Sequence, residues 1–180
     1  AFTAAASVLQ LRGPHLTLVK IAGRALSCTT LPERARANAL VSQGRAWRLL
    51  GELERASQIL SWGLQMAQQA EAEEVEATAQ ENLGIVADLE GRPDQSRAYY
   101  LQALPIYQKL GMRKQEGSVL NNLGILDRTK GDLDAAAEHH LGFASLGPIH
   151  VDLAGDRGNP HGLDGAARLA LHAPLFRSRR

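Results

Sequence analysis

The sequence predicts an all-α fold, an α-α superhelix (solenoid) built from antiparallel helix pairs. Helix-forming Ala, Leu, Gln, Glu and Arg are abundant, and only 4% of the chain is aromatic. Two columns of glycine recur with a period of about 40 residues, as Gly44, Gly84, Gly124 and as Gly51, Gly91, Gly131. Such a period is typical of helix–turn–helix repeats that bury their apolar faces by stacking on their neighbours.

The glycine columns delimit three full repeats, at about 33–71, 72–111 and 112–146. The tetrapeptide Asn82–Ile85 returns as Asn122–Ile125, which supports this division. Residues 1–32 are expected to hold part of an earlier repeat, with its second helix at about 14–29, giving about three and a half repeats. Residues 147–180 break the period with several glycines and prolines, which predicts an irregular tail. Two interpretations stay open: a flexible tail with a short helix near Asp164–His172, or the abnormal end of a truncated coding frame.

Each repeat is predicted to be a helix, a tight turn and a second helix. The second glycine column marks the turn, because glycine accepts the left-handed backbone that ends a helix. Pro93 and Asp132 then suit the start of the following helix. Thr30–Glu33 has the pattern of a capping box, which predicts a first helix from about Pro32.

The first glycine column lies inside a predicted helix, where each glycine costs about 1 kcal/mol relative to alanine. Three such glycines at one phase indicate that the paired helix passes too close for a Cβ atom. Small residues of the second helix are expected to face them, alternating with the larger side chains of Leu60, Tyr100 and His140. Trp47 and Trp62 are expected to lie in the core.

Composition limits the classes of function. A formal net charge of +1 gives no general attraction to nucleic acid or anionic membranes, and no apolar run approaches the ~20 residues that span a bilayer. Cys28 is the single cysteine, so no intrachain disulfide can form, and a buried thiol in a cytoplasmic protein is expected. The first residue is Ala1 rather than Met, and we expect a fragment of a larger regulator or scaffold.

The two glycine columns and the residues around them resemble the tetratricopeptide repeat. They have Leu-Gly in the first helix, Gly at the turn, and then Ala and an aromatic residue in the second helix. The common repeat has about 34 residues, so a period of about 40 residues implies longer helices. The chain is similar in this respect to the long repeats of bacterial signalling ATPases and transcription regulators, of kinesin light chains and of spindle-orientation adaptors. It departs from the pattern at Gln43, where leucine is usual, and at His140, where an aromatic residue is usual.

The resemblance implies a concave groove, lined by the first helices, that holds a protein or peptide partner. Residues at helical spacing on the side of the first helices that faces the groove form a stripe, here called the outward stripe. It includes Asn38, Val41 and Thr78 in addition to the candidate groove residues named below. An asparagine amide both donates and accepts, so a series of them can hold an extended peptide backbone. The candidate groove residues are Asn82, Asn121, Asn122, Arg45, Arg48, Glu81, Asp88, Ile85, Ile125 and Arg128.

The resemblance also excludes one partner. Members that bind a chaperone's C-terminal carboxylate use a lysine, and Val41, Glu81 and Asn121 occupy the column where that lysine should be. We therefore do not expect binding to chaperone tails. The last repeat lacks a polar capping helix, so an exposed apolar end and self-association are expected.

Function is predicted to be protein binding without catalysis, with no cofactor, no metal and no direct nucleic-acid or membrane contact. The main alternative is a sensory or regulatory segment of a bacterial transcription regulator or signalling ATPase, which binds an effector or a neighbouring domain. The weakest alternative is a metal-dependent hydrolase that uses histidines and aspartates of the tail, where no known metal-binding or nucleophile motif occurs. Those tail residues are His150, Asp152, Asp156, His161 and Asp164.

Overall fold

Seven helices and no strands make up residues 15–147, the part of the chain that this computed structural model describes. The all-α fold class is thereby confirmed, whereas the predicted tail from residue 148 onward lies outside the described residues. Helix α1 covers residues 15–26. The others are α2 (Glu33–Leu49), α3 (Leu53–Gln69), α4 (Glu73–Leu89), α5 (Pro93–Lys109), α6 (Arg113–Lys130) and α7 (Leu133–Ser145). No helix among the described residues is long and apolar enough to cross a membrane.

The chain divides into two compact units. The N-terminal unit, Ala1–Met112, contains α1 to α5, and the C-terminal unit, Arg113–Arg180, contains α6 and α7. Successive helices pack as pairs, α2 with α3, α4 with α5, and α6 with α7, and α3 also packs against α4. The starts of α2, α4 and α6 follow one another at the period of the glycine columns, as do those of α3, α5 and α7.

The core of the N-terminal unit is formed by small and branched apolar side chains of α2, α3 and α4. Val41 belongs to it, because its Cγ2 lies 2.8 Å from where a Cβ of Gly63 would stand. Its predicted place on the outward stripe was therefore wrong. The buried members are Ala37, Val41, Ala56, Leu60, Ala67, Ala72, Val75, Ala79, Leu83 and Val86.

The glycines inside the first helices accommodate a large side chain of the paired helix. A Cβ on Gly44 would lie 2.6 Å from Leu60 Cγ, and one on Gly84 would lie 2.6 Å from Tyr100 Cε1. A Cβ on Gly124 would lie 2.9 Å from His140 Cε1. The predicted close approach is confirmed, and its cause in all three repeats is the larger side chain itself.

The turns have the predicted chemistry. Gly51, Gly91 and Gly131 adopt φ angles of +80°, +72° and +83°, in the left-handed region. The Asp132 carboxylate accepts a hydrogen bond from the Ala135 backbone N–H at 3.1 Å, which caps α7. The predicted capping box before α2 does not form, because Pro32 occupies the cap position and no side chain bonds the first turn.

Two further side chains differ from expectation. Cys28 is exposed, in the turn between α1 and α2, where its Sγ lies 3.3 Å from Thr30 Oγ1. Trp62 is 53% exposed on α3. Trp47 is partly buried, with the Arg55 guanidinium 5.2 Å from its ring centroid.

Candidate functional site

An open cleft of about 370 Å³ lies between α2 and α4 of the N-terminal unit. Both are first helices of their repeats, and their first two turns supply most of the lining. The polar groups come from side chains of both charges together with an amide and a hydroxyl. The lining residues are Pro32, Arg34, Ala35, Asn38, Glu74, Val75 and Thr78.

Charge in the cleft is balanced by one ion pair between the two helices. Arg34 Nη2 lies 3.4 Å from Glu74 Oε2, and both side chains are more than half exposed. An exposed pair of this kind contributes about 0–1 kcal/mol, so a ligand's own charges can replace it at little cost. Thr78 Oγ1 donates to the Glu74 carbonyl at 2.8 Å, which uses the hydroxyl proton.

Asn82 follows Thr78 by one turn of α4. Its Nδ2 donates to the Thr78 carbonyl at 2.8 Å, so the side chain lies back along its own helix. Its Oδ1 is buried and has no hydrogen-bond partner among the described residues. An unpaired buried acceptor costs about 1–3 kcal/mol.

Three of the predicted groove residues influence the pKa of the Tyr100 hydroxyl, which lies farther along the N-terminal unit. The pKa of Tyr100 is raised, mainly by burial and further by the charges of Asp88 and Glu81, while Arg48 opposes the shift. Charges of both signs therefore surround a ring that also fills the space beside Gly84. Arg48 is buried, unlike Arg45, which is exposed.

Glu81 has a second tyrosine partner that the sequence did not suggest. Tyr107 Oη on α5 donates to Glu81 Oε2 at 2.7 Å, and burial, followed by the charge of Glu81, raises the pKa of Tyr107. The positions one period away on either side, Ala67 and Gly147, are not tyrosines, so the repeat carries no signal for this contact.

In the C-terminal unit, Asn121 and Asn122 are buried, Ile125 is half-buried and Arg128 is exposed. Asn122 Nδ2 has no hydrogen-bond partner within residues 15–147. The pKa of His140 is lowered, first by burial and then by the positive charge of Arg128.

The sequence analysis did not predict the buried carboxylate of Asp127 in the same unit. Asp127, 1% exposed, is bonded through Oδ2 to Nδ1 of His139 at 2.8 Å. Its counterparts in earlier repeats are Ala87 and Trp47, so the column gave no reason to expect a charge. No group of three or more His, Cys, Asp or Glu side chains in the described part of the chain could hold a metal ion.

Residues 75–141 match the family model for the tetratricopeptide repeat. This part of the chain is similar to tetratricopeptide repeats. The crystal structure of BtubC (BKLC) from P. vanneervenii has a similar fold, with a TM-score of 0.68, 19% identity, and coverage of 95% of this chain and 78% of that one. The tetratricopeptide-repeat domain of Arabidopsis FLU is also similar, with a TM-score of 0.56, 17% identity and coverage of 63% and 96%. At these identities the two structures show the fold alone, and no curated protein sequence matches the chain.

The match over residues 75–141 confirms the resemblance to the tetratricopeptide repeat, and the two solved structures confirm the α-α solenoid fold, which typically acts as a non-catalytic scaffold. The ten predicted groove residues differ in accessibility within these tetratricopeptide repeats. Only two are exposed, and the space that the structure leaves open lies nearer the start of α4 than Glu81. Buried are Arg48, Asn82, Asn121 and Asn122; half-buried are Glu81, Ile85, Asp88 and Ile125; exposed are Arg45 and Arg128.

The cleft is lined by two members of the predicted stripe, Asn38 and Thr78, and by two residues that the sequence reasoning missed, Arg34 and Glu74. A signal for the missed pair existed. Arg34 and Glu74 have opposite charge and are separated by exactly one period, so they occupy equivalent positions on successive first helices.

Proposed function

We propose that this chain is a non-catalytic protein-interaction module that holds a peptide in extended form against its first helices. The observation that carries the proposal is the open cleft between α2 and α4, with Arg34, Asn38, Glu74 and Thr78 on its walls. These groups suit a polar peptide segment, since they offer a cation, an anion, an amide and a hydroxyl within one space.

The asparagine amides enter the same proposal as positioning residues. Asn82 Oδ1 and Asn122 Nδ2 are buried without hydrogen-bond partners among the described residues, so they are closed to direct contact with a peptide in this structure. We therefore retain all ten predicted groove residues, with contact by Arg45 and Arg128 and local positioning by the buried and half-buried members. A cytoplasmic location belongs to the same proposal, supported by the single cysteine.

The test is selection of peptides from a random displayed library on the full chain, followed by affinity measurements with cleft variants. Asn38→Ala and Thr78→Ala each remove a polar group from the cleft wall, and we expect each to weaken binding about fivefold, the size of one lost hydrogen bond. Gln58→Ala, an exposed change on α3, is the matched control and should leave affinity unchanged. Peptides that bind both cleft variants as tightly as the control would overturn the proposal.

The asparagines of the C-terminal unit need a separate test because they are buried. Asn121→Ala and Asn122→Ala should be compared with the unaltered chain both in peptide affinity and in thermal unfolding. We expect affinity to fall by more than the change in stability accounts for. Affinity that stays constant while the melting temperature falls would assign these asparagines to the fold instead.

A further inference from the structure

Helix α7 of the C-terminal unit has an apolar stripe that no described residue covers. Leu133 is 68% exposed and Leu141 is 70% exposed, and Ala137 between them is also exposed. These three residues, here called the α7 stripe, are four apart and are therefore neighbours on one face of the helix. Asp134 and Glu138, both exposed, each follow a residue of the stripe by one position and form an acidic edge beside it.

Helix α1 of the N-terminal unit has a stripe of similar length, with a basic edge. Ile21 is 59% exposed and Leu18 is 36% exposed, and together with the half-buried Ala25 they form the α1 stripe. Lys20 and Arg24, both exposed, each precede a residue of the stripe by one position. The two helices therefore present apolar faces of matching length beside edges of opposite charge.

We propose that these stripes form a head-to-tail contact between copies of this chain, in which the α7 stripe of one copy packs against the α1 stripe of the next. Such a contact is heterologous, because it joins two different faces, and a copy that uses one face keeps the other for a second neighbour. None of the residues in the stripes or edges lines the cleft between α2 and α4, so the contact does not depend on peptide binding there.

Charge complementarity favours this pairing over the two symmetric ones. Helix α1 contains no acidic residue, and α7 contains no lysine or arginine. Packing α7 on α7, or α1 on α1, would therefore bring together edges of one sign, whereas packing α1 on α7 places ammonium and guanidinium groups beside carboxylates. Within residues 15–147 none of the four edge residues forms an ion pair, so their charges are available to a second copy.

Helical geometry also gives the contact a direction. Viewed from the N-terminus of each helix, the basic edge lies anticlockwise of the α1 stripe, whereas the acidic edge lies clockwise of the α7 stripe. The two edges therefore meet when the helices run parallel. If Leu18 is level with Leu133, every other residue lies within one position of its counterpart, about 1.5 Å along the axis. The counterparts are Lys20 and Asp134, Ile21 and Ala137, Arg24 and Glu138, and Ala25 and Leu141.

The experiment uses the full chain with Cys28→Ser, which prevents a disulfide between exposed thiols of two copies. Sedimentation velocity at concentrations up to about 1 mM should show an average mass that rises with concentration. Ile21→Glu removes the α1 stripe and Leu141→Glu removes the α7 stripe. Each variant alone should associate about tenfold more weakly, because each loses an apolar side chain that the contact buries. Gln65→Glu, an exposed change on α3, is the matched control and should associate as the Cys28→Ser chain does.

An equimolar mixture of the two variants decides whether the contact is heterologous. The mixture should form dimers that contain one copy of each variant and grow no further, because one intact stripe remains on each partner. Association of Ile21→Glu alone at full strength would assign the contact to α7 with α7, and the same result for Leu141→Glu would assign it to α1 with α1. Either result would overturn the proposal, as would a mixture or a Cys28→Ser chain that stays monomeric.

A charge exchange tests the two edges. Arg24→Glu alone and Glu138→Arg alone should each weaken association about two- to fivefold, the range expected of an exposed ion pair. Both changes in one chain should restore association, since every contact then again joins opposite charges. A double variant that associates more weakly than either single variant would contradict the pairing of the edges.

Discussion

Tyr107 on α5 donates a 2.7 Å hydrogen bond from its hydroxyl to Oε2 of Glu81 on α4. The ring is fully buried, and Glu81 is one of the predicted groove residues. A side chain assigned to partner binding therefore also joins the two helices of a repeat.

Tyr107→Phe removes this hydrogen bond with little change in volume. We expect the chain to lose about 1–3 kcal/mol of unfolding free energy, because the carboxylate loses a buried donor. Urea unfolding measures the loss, and Tyr99→Phe on the same helix is the control. Once Glu81→Gln is present, Tyr107→Phe should cost less, since the two residues share one interaction. Strictly additive effects would contradict the pairing.

Gly84→Ala should destabilise the N-terminal unit by about 1–3 kcal/mol, because the added methyl would lie 2.6 Å from the buried Tyr100 ring. Gly142→Ala on α7 is the matched comparison, since its Cβ would come no closer than 3.5 Å to Leu120. There the helix should gain about 0.5–1 kcal/mol. Thermal unfolding measures both changes: Gly84→Ala should melt at a lower temperature than the unaltered chain, and Gly142→Ala at a higher one. Equal shifts in the two variants would contradict the close contact between Gly84 and Tyr100.

Acid should weaken the packing of α6 with α7 through His140. Its pKa in the folded chain lies below the ordinary 6.5, because burial and Arg128 disfavour the imidazolium ion. The unfolded chain binds this proton first as the pH falls, so the His140 contribution to stability is present above pH 6.5 and decreases below it. The loss is complete once the pH has passed below the folded pKa.

NMR titration of the imidazole measures the folded pKa of His140 directly. Unfolding free energies of the unaltered chain and of His140→Gln, measured from about pH 7.5 down to about pH 5, test the linkage. The unfolding free energy of His140→Gln should fall less over this pH range than that of the unaltered chain. A His140 that titrates at or above its ordinary value of 6.5 would contradict the burial of its ring.

His139→Ala should destabilise the C-terminal unit by about 1–3 kcal/mol, because it removes a hydrogen-bond partner from the buried carboxylate of Asp127. Lys114→Ala, an exposed change on α6, is the control and should have little effect. Chemical denaturation of both variants makes the comparison. Equal stabilities would mean that the contact between His139 and Asp127 contributes nothing to folding.

The helix pairs could be predicted because the same contact between paired helices recurs in all three repeats. Gly44, Gly84 and Gly124 each mark a close approach, and the glycine of each turn marks a left-handed residue. A helix cap could also be predicted where a single residue forms it, as Asp132 does at the start of α7.

The accessibility of the site could not be predicted in the same way. Helical spacing gives the side of a helix on which a residue lies, but not the depth at which neighbouring helices cover it. Arg48 and Asn82 are therefore buried although they lie on predicted groove helices. Contacts made once, such as Asp127 with His139, carry no periodic signal, and Trp62 shows that a large aromatic side chain need not lie in the core.

The contact between each inner glycine and its large partner also bears on how such a chain can change over generations. The partners are Gly44 and Leu60, Gly84 and Tyr100, and Gly124 and His140. Each pair has the same separation in sequence, less than half of one period, so both members lie within a single repeat. Unequal recombination that duplicates or deletes a whole period would therefore keep the spacing between each inner glycine and a large partner side chain. An event of any other length could separate a glycine from the side chain that it accommodates.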